Sequence, residues 1–127
     1  MNKVVVDASA ILALLNQEKG SEEISQWIGN AVISSVNLSE VVAKLAEGGV
    51  TEADIEQILA NLNLEVVPFS QEQALRAGIL RPLTKSLGLS LGDRACLGLG
   101  ISLNLSVLTT DKVWANLNLG VEVQLIR

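Results

Sequence analysis

Four acidic side chains stand where carboxylate chemistry could be done: Asp7, Glu40, Asp93 and Asp111. Each also has an ordinary explanation. Asp7 follows a strand-like run and precedes helical periodicity, so it can be a helix N-cap. Asn37-Leu38-Ser39-Glu40 and Ser90-Leu91-Gly92-Asp93 both read as capping boxes. Asp111 can cap a short helix, and the helix dipole favours acids at every such place. Taken together, the four suggest more. Crowded carboxylates repel one another, and at least one takes a raised pKa unless a cation neutralises them. The chain has no histidine and one cysteine, Cys96. Hard oxygen ligands without nitrogen or sulfur select Mg²⁺ or Mn²⁺. Such an ion can activate water and stabilise an in-line phosphoryl displacement. Spacing alone does not bring the four together, because they are scattered from residue 7 to residue 111.

The composition removes several other chemistries. Without histidine there is no Ser-His-Asp or Cys-His catalysis and no His-ligated zinc. Trp27, Phe69 and Trp114 are too few aromatic residues for a base-stacking sheet. A net charge of −5 argues against a general nucleic-acid coat. No Gly-Lys pair occurs, so there is no P-loop. Gly98-Leu99-Gly100 lies in a helical pattern, lacks a third glycine, and reads as close helix packing. Cys96, alone, forms no intramolecular disulfide and reads as a core residue, which points to a reducing cytoplasm. Met1-Asn2-Lys3 runs straight into Val4-Val5-Val6, so no secretory signal is expected. The uncharged run Ala95 to Thr110, which no other exceeds, is short for a membrane span.

The elements that would position these residues alternate between strand and helix. Strands are expected at Lys3–Val6, Ala31–Ser34, Glu65–Val67, Val107–Thr109 and Val121–Ile126. Helical spacing follows Asp7, with Ala10, Ile11, Leu14 and Leu15 on one face. Ser21 can cap a helix through Ile28, and Asn37 can open one that Gly48-Gly49 ends. Thr51 caps the next. Ser70 and Gln73 form a capping box for a helix that stops near Pro82, and Thr84 to Leu89 reads as a loop. A further helix spans about Leu91 to Leu103, and a short one follows Asp111. This alternation predicts one α/β domain over residues 1–127 with a mainly parallel sheet. In such sheets ligands gather at the carboxyl ends of strands, and Asp7 and Asp111 each follow a strand end.

The motifs resemble those of the PIN-domain ribonucleases, and of VapC-type toxins in particular. Val4-Val5-Val6-Asp7-Ala8-Ser9-Ala10-Ile11-Leu12-Ala13-Leu14-Leu15 looks like their first motif. Ser35-Val36-Asn37-Leu38-Ser39-Glu40-Val41 resembles the second, Leu89-Ser90-Leu91-Gly92-Asp93-Arg94-Ala95-Cys96-Leu97 the third, and Val107-Leu108-Thr109-Thr110-Asp111-Lys112-Val113-Trp114 the fourth. The match covers essentially the whole chain, in family order. It implies a three-layer α/β/α domain with a mainly parallel five-stranded sheet. It implies an acidic site of Asp7, Glu40, Asp93 and Asp111, supported by Ser9 and Thr109. Asp7 and Asp93 would be the principal Mg²⁺ ligands, with Mn²⁺ an alternative, and Glu40 and Asp111 would act directly or through waters. Some relatives carry another acid soon after the fourth motif; Lys112 to Asn116 holds none. The family cleaves RNA by metal-activated water, is blocked by an antitoxin protein, and is commonly a homodimer.

Charge fits that expectation. Setting the four carboxylates aside changes the net charge from −5 to −1, so the remainder need not repel RNA strongly. Arg76, Arg81, Lys85 and Arg94 could hold phosphates or be ordinary solvated charges. Trp114 could stack on a base or pack its short helix. Ala10 to Leu15, with Trp27 and Ile28, could face a partner subunit or form core. Two rival classes remain open. A phosphatase or receiver-like domain would want a second acid near Asp7, where Val6 and Ser9 stand instead. A non-catalytic PIN-like binding protein would have no need of all four carboxylates.

Overall fold

A computed structural model describes residues 2–127; Met1, the first residue of the expected domain, lies outside the described residues. Five strands form one sheet: β1 (Val4–Val6), β2 (Ala31–Ser34), β3 (Glu65–Val67), β4 (Val107–Thr109) and β5 (Val123–Leu125). Their order is β3-β2-β1-β4-β5, and every neighbouring pair is parallel. Seven α-helices connect them: α1 (Ala8–Leu15), α2 (Ser21–Trp27), α3 (Ser35–Glu47), α4 (Glu52–Leu62), α5 (Gln71–Ile79), α6 (Arg81–Thr84) and α7 (Leu91–Leu103). Short 3-10 turns follow α2 and α6, and a third spans Lys112–Asn116.

The central strand explains the layering. Val4, Val5 and Val6 are all buried, because a parallel strand is covered on both faces. Val4 and Val6 join Ala10, Ile11, Ile24 and Val41 on one side, beneath α1, α2 and α3. Val5 turns the other way and packs with Leu80, Cys96, Leu97, Leu99 and Trp114, beneath α7. The result is a three-layer α/β/α arrangement. Gly100 permits the close approach of α7 to the sheet, since a Cβ there would overlap Val107 and crowd Val121. Cys96 and Trp114 are core residues, fully buried.

Several local expectations need correction. Ser21 does not cap α2. Gly20 holds that position at φ 99, and a side chain there would strike the Ile126 carbonyl. Residues 84–89 are not a plain loop: α6 ends at Thr84 and a 3-10 turn spans Lys85–Leu87. The expected parallel sheet is present, and every pairing in it is parallel. Ala10, Ile11 and Ala13 are core, and Leu12, Leu14, Leu15, Trp27 and Ile28 pack against it while staying partly exposed, as expected. Exposed large apolar side chains lie elsewhere, at Leu75, Ile79, Leu83, Leu87 and Leu91 among others. Among the described residues, no helix is long and apolar enough to cross a membrane.

Candidate active site

The strand order sets the place of the site. The chain leaves β1 towards β2 on one side, while β4 lies on the other and passes to β5. The crevice between the carboxyl ends of β1 and β4 is therefore a topological switch point, where open α/β sheets bind ligands. Asp7 directly follows β1. Asp111 follows β4 by two residues, Glu40 projects from α3, and Asp93 lies in the first turn of α7. All four line one cavity of about 240 Å³, together with Ala8, Ser9, Leu12, Asn37 and Lys44.

Asp7 is the most deeply set carboxylate, at 6% exposure. It is the N-cap of α1 and accepts from the Ala10 N–H at 2.9 Å. It also accepts from the hydroxyls of Thr109 at 2.7 Å and Ser9 at 2.8 Å. These hydroxyls serve in two directions. Ser9 Oγ accepts from the Thr110 N–H, and Thr109 Oγ1 accepts from the Asp111 N–H. Only a group that donates and accepts can bind both the β1 carboxylate and the backbone beyond β4. Burial pushes the Asp7 carboxyl up to about 6 from 3.8; the hydrogen bonds from Thr109, Ala10 and Ser9 oppose this, and the Asp93 charge adds a little to it. The Cys96 thiol is pushed well up by burial first, then by the fields of Asp7, Asp93 and Glu40.

The capping explanations hold for three of the four acids. Asp93 closes a true capping box: its N–H donates to Ser90 Oγ at 3.2 Å, and its Oδ2 accepts from the Ser90 N–H at 2.9 Å. Asp111 caps the 3-10 turn by accepting from Val113 N–H at 3.0 Å. Glu40 departs from its expectation. Ser34 is the N-cap of α3, so Asn37 does not open the helix and Glu40 is its sixth residue. No cap accounts for Glu40. Instead Asn37 Nδ2 donates to Glu40 Oε1 at 2.8 Å and to the Gly92 carbonyl at 2.9 Å. Glu40 in turn rests on Gly92, where a Cβ would overlap its carboxylate. Two site residues were thus missed in sequence. A polar amide one turn before an acid was the available sign for Asn37. The glycine inside a helix start was the sign for Gly92.

The cavity fits a hydrated divalent cation. Among the described residues, no three His, Cys, Asp or Glu side chains are gathered closely enough to hold a metal ion between them. Yet four carboxylates line one cavity of about 240 Å³, which has room for several waters. Mg²⁺ keeps several waters and needs only one or two direct carboxylates, so a shared lining is enough for it. Asn37 also lines the cavity, and its Oδ1 is buried without a partner among the described residues. Of the basic residues considered for phosphate binding, Arg94 donates to the Ala77 carbonyl and Arg81 to the Leu89 carbonyl. Lys44 is the only basic residue among the described residues that line the cavity.

None of the curated protein sequences matches this chain significantly. Solved structures do. A toxin–antitoxin complex from Klebsiella pneumoniae superimposes with a TM-score of 0.75 at 21% identity, covering 94% of this chain and 95% of that one. DNA-bound VapBC from Salmonella typhimurium gives 0.75 at 20% identity, covering 98% of each chain. VapBC2 from Rickettsia felis, bound to a promoter DNA fragment, gives 0.73 at 17% identity, covering 95% and 96%. At these identities the likeness is one of fold. The family pattern of the PIN domain matches residues 4–118, which takes in β1, all four carboxylates and the turn after Asp111; the chain belongs to the PIN-domain family.

Proposed function

We propose that this chain, residues 1–127 as one PIN domain, is a divalent-cation-dependent ribonuclease and the toxin of a VapBC-type pair. Proteins of this family are generally nucleases. The observation that carries the reading is the lining of one switch-point cavity by Asp7, Glu40, Asp93 and Asp111. When bound, Mg²⁺ or Mn²⁺ supplies Lewis acidity and positive charge for phosphodiester hydrolysis. The protein supplies placement. Ser9 and Thr109 fix Asp7, the α7 capping box fixes Asp93, and the Val113 N–H fixes Asp111. Asn37 holds Glu40 by Oε1. Asp7 and Asp93 are assigned as the principal cation ligands, with Glu40 and Asp111 completing the site.

The test is cleavage of RNA by purified protein. Activity should require added Mg²⁺ or Mn²⁺ and stop with chelator. Undiminished cleavage by metal-free protein would sink the reading.

The structural relatives named above are toxin–antitoxin complexes, which supports an antitoxin protein as partner; the pair is assigned here to the cytoplasm. The same reading makes the toxin a homodimer. Leu75, Ile79, Leu83 and Leu87 recur every four residues along α5, α6 and the turn after it, and all are exposed. Such a stripe is the kind of surface a partner covers. Light scattering at micromolar concentration should give twice the chain mass; a monomeric mass would count against the dimer.

A further inference from the structure

Glu40 and Lys44 lie one turn apart on α3, and both line the carboxylate cavity. Ala8 and Leu12 repeat that spacing on α1. The cavity therefore continues past the acids along both helices by about one turn, roughly 6 Å. A glutamate four residues before a lysine is the order in which helices form ion pairs most readily. Glu40 and Lys44 do not pair. Among the described residues the ion pairs are Lys3–Glu65 and Arg127–Glu18. Glu40 is held instead by Asn37 and rests on Gly92. Lys44 is exposed and has no acid partner among the described residues. Its place in the last turn also suits the α3 dipole. The dipole accounts for a cation near the helix end, but not for one on the cavity wall.

The charge of the cavity gives that ammonium a use. Four ionised carboxylates outweigh one divalent cation by two charges. An RNA phosphate would enter against this excess, and Lys44 halves it. A charge on the wall is poorly screened from the cavity's contents, since screening at physiological salt sets in over about 8 Å. None of the other eight Lys and Arg side chains lines the cavity. Arg81 and Arg94 are turned to backbone carbonyls, and Lys3 and Arg127 to acids.

We infer that Lys44 is a substrate-binding residue: its ammonium holds a phosphate of the RNA strand next to the one that is cleaved, about one helical turn from the carboxylates. This rests on the reading of the cavity as a ribonuclease site. A lysine is a point charge on a flexible four-carbon stem, so it can follow a phosphate rather than wait at one fixed place. Such a contact sets the register of the strand in the cavity without reading its sequence.

The test compares the unchanged chain with Lys44→Met, Lys44→Arg and Lys19→Met on one single-stranded RNA of mixed sequence, with Mg²⁺ in excess. Lys44→Met keeps the length of the stem and removes the charge. Its KM should rise about fivefold to tenfold with kcat little changed. A plot of log kcat/KM against log salt should also become shallower, by about 0.7 in slope for one lost phosphate contact. Lys44→Arg should restore both. Lys19→Met makes the same change in net charge at an exposed residue outside the cavity, and should leave the slope alone. Mn²⁺ affinity without RNA, measured by titration calorimetry, should not weaken in Lys44→Met. Unchanged KM and salt slope in Lys44→Met would overturn the contact and leave Lys44 as a helix-end charge. So would a slope change that Lys19→Met reproduces, a loss confined to kcat, or a weaker grip on Mn²⁺. Failure of the unchanged protein to cleave RNA would overturn the ribonuclease reading and this inference with it.

Discussion

Asp7→Asn should lose RNA cleavage by about a hundredfold or more and yet melt higher than the unchanged protein when metal is absent. The two effects have one source. Asp7 is nearly buried, and burial holds its carboxyl at about 6 rather than 3.8. The folded state therefore binds its proton more tightly than the unfolded chain does. Stability from this group is complete below the unfolded pKa and is lost as pH rises through about 6. At about pH 7.5 the buried charge costs up to about 3 kcal/mol. Asparagine carries no charge and keeps an oxygen for the Ala10 N–H. Its amide must still be matched to the Ser9 and Thr109 hydroxyls, so a net gain of about 1–3 kcal/mol is expected. That corresponds to roughly 3–10 °C. The gain should vanish at about pH 4, where the unchanged Asp7 is already protonated in the fold. Melting curves across this range, with chelator present, decide the matter. A variant that is less stable than the unchanged protein at every pH would show Asp7 to be an ordinary cap.

The same residue shows what the sequence could and could not convey. The run Val4-Val5-Val6 marked a strand buried on both faces, and the alternation after it marked the parallel sheet, because burial and period are local properties. All five strands fall within a residue or two of their expected bounds. The gathering of the acids was not local. It follows from the order β3-β2-β1-β4-β5, which no spacing along the chain encodes. The strand ends hinted at Asp7 and Asp111, and only the family motifs pointed to all four beforehand. Capping rules worked where the cap was a side chain with a free backbone partner, as at Thr51, Ser70 and Ser90. They failed at Asn37, because Ser34 at the end of β2 opens α3 first and carries Asn37 inside the helix. They failed again at Ser21, because a tight approach to Ile126 makes Gly20 the cap. At Asn37 an earlier local cap took precedence, and at Ser21 a tertiary contact overrode a correct local preference. The bland and functional explanations of Asp7, Asp93 and Asp111 are both consistent with the geometry, since a capping carboxylate can still present an oxygen to a cavity.

Asp93→Asn separates those two explanations most cleanly. In the capping box, Asp93 Oδ2 accepts from the Ser90 N–H and the Asp93 N–H donates to Ser90 Oγ. Asparagine retains an oxygen for the first bond and its own backbone for the second. The box is worth about 0.5–2 kcal/mol, and little of that should be lost. The charge, in contrast, disappears from the cavity. If Asp93 serves the cation, removing it takes away several kcal/mol of charge stabilisation during hydrolysis. Cleavage should then fall by about a hundredfold to ten-thousandfold, and Mn²⁺ should bind much more weakly. Metal-free protein should melt at the same temperature or slightly higher, because Asp93 and Asp7 repel across the cavity. A finer sign accompanies this. The Asp93 charge adds to the upward shift of Asp7, so in the variant the pH at which Asp7 loses its proton should move down. A purely structural Asp93 predicts the opposite set: a small loss of stability, cleavage retained, and Mn²⁺ affinity unchanged. Wild-type cleavage rates in Asp93→Asn would remove it from the site, and a cation held by Asp7 with Glu40 and Asp111 would then have to bind without any ligand from α7.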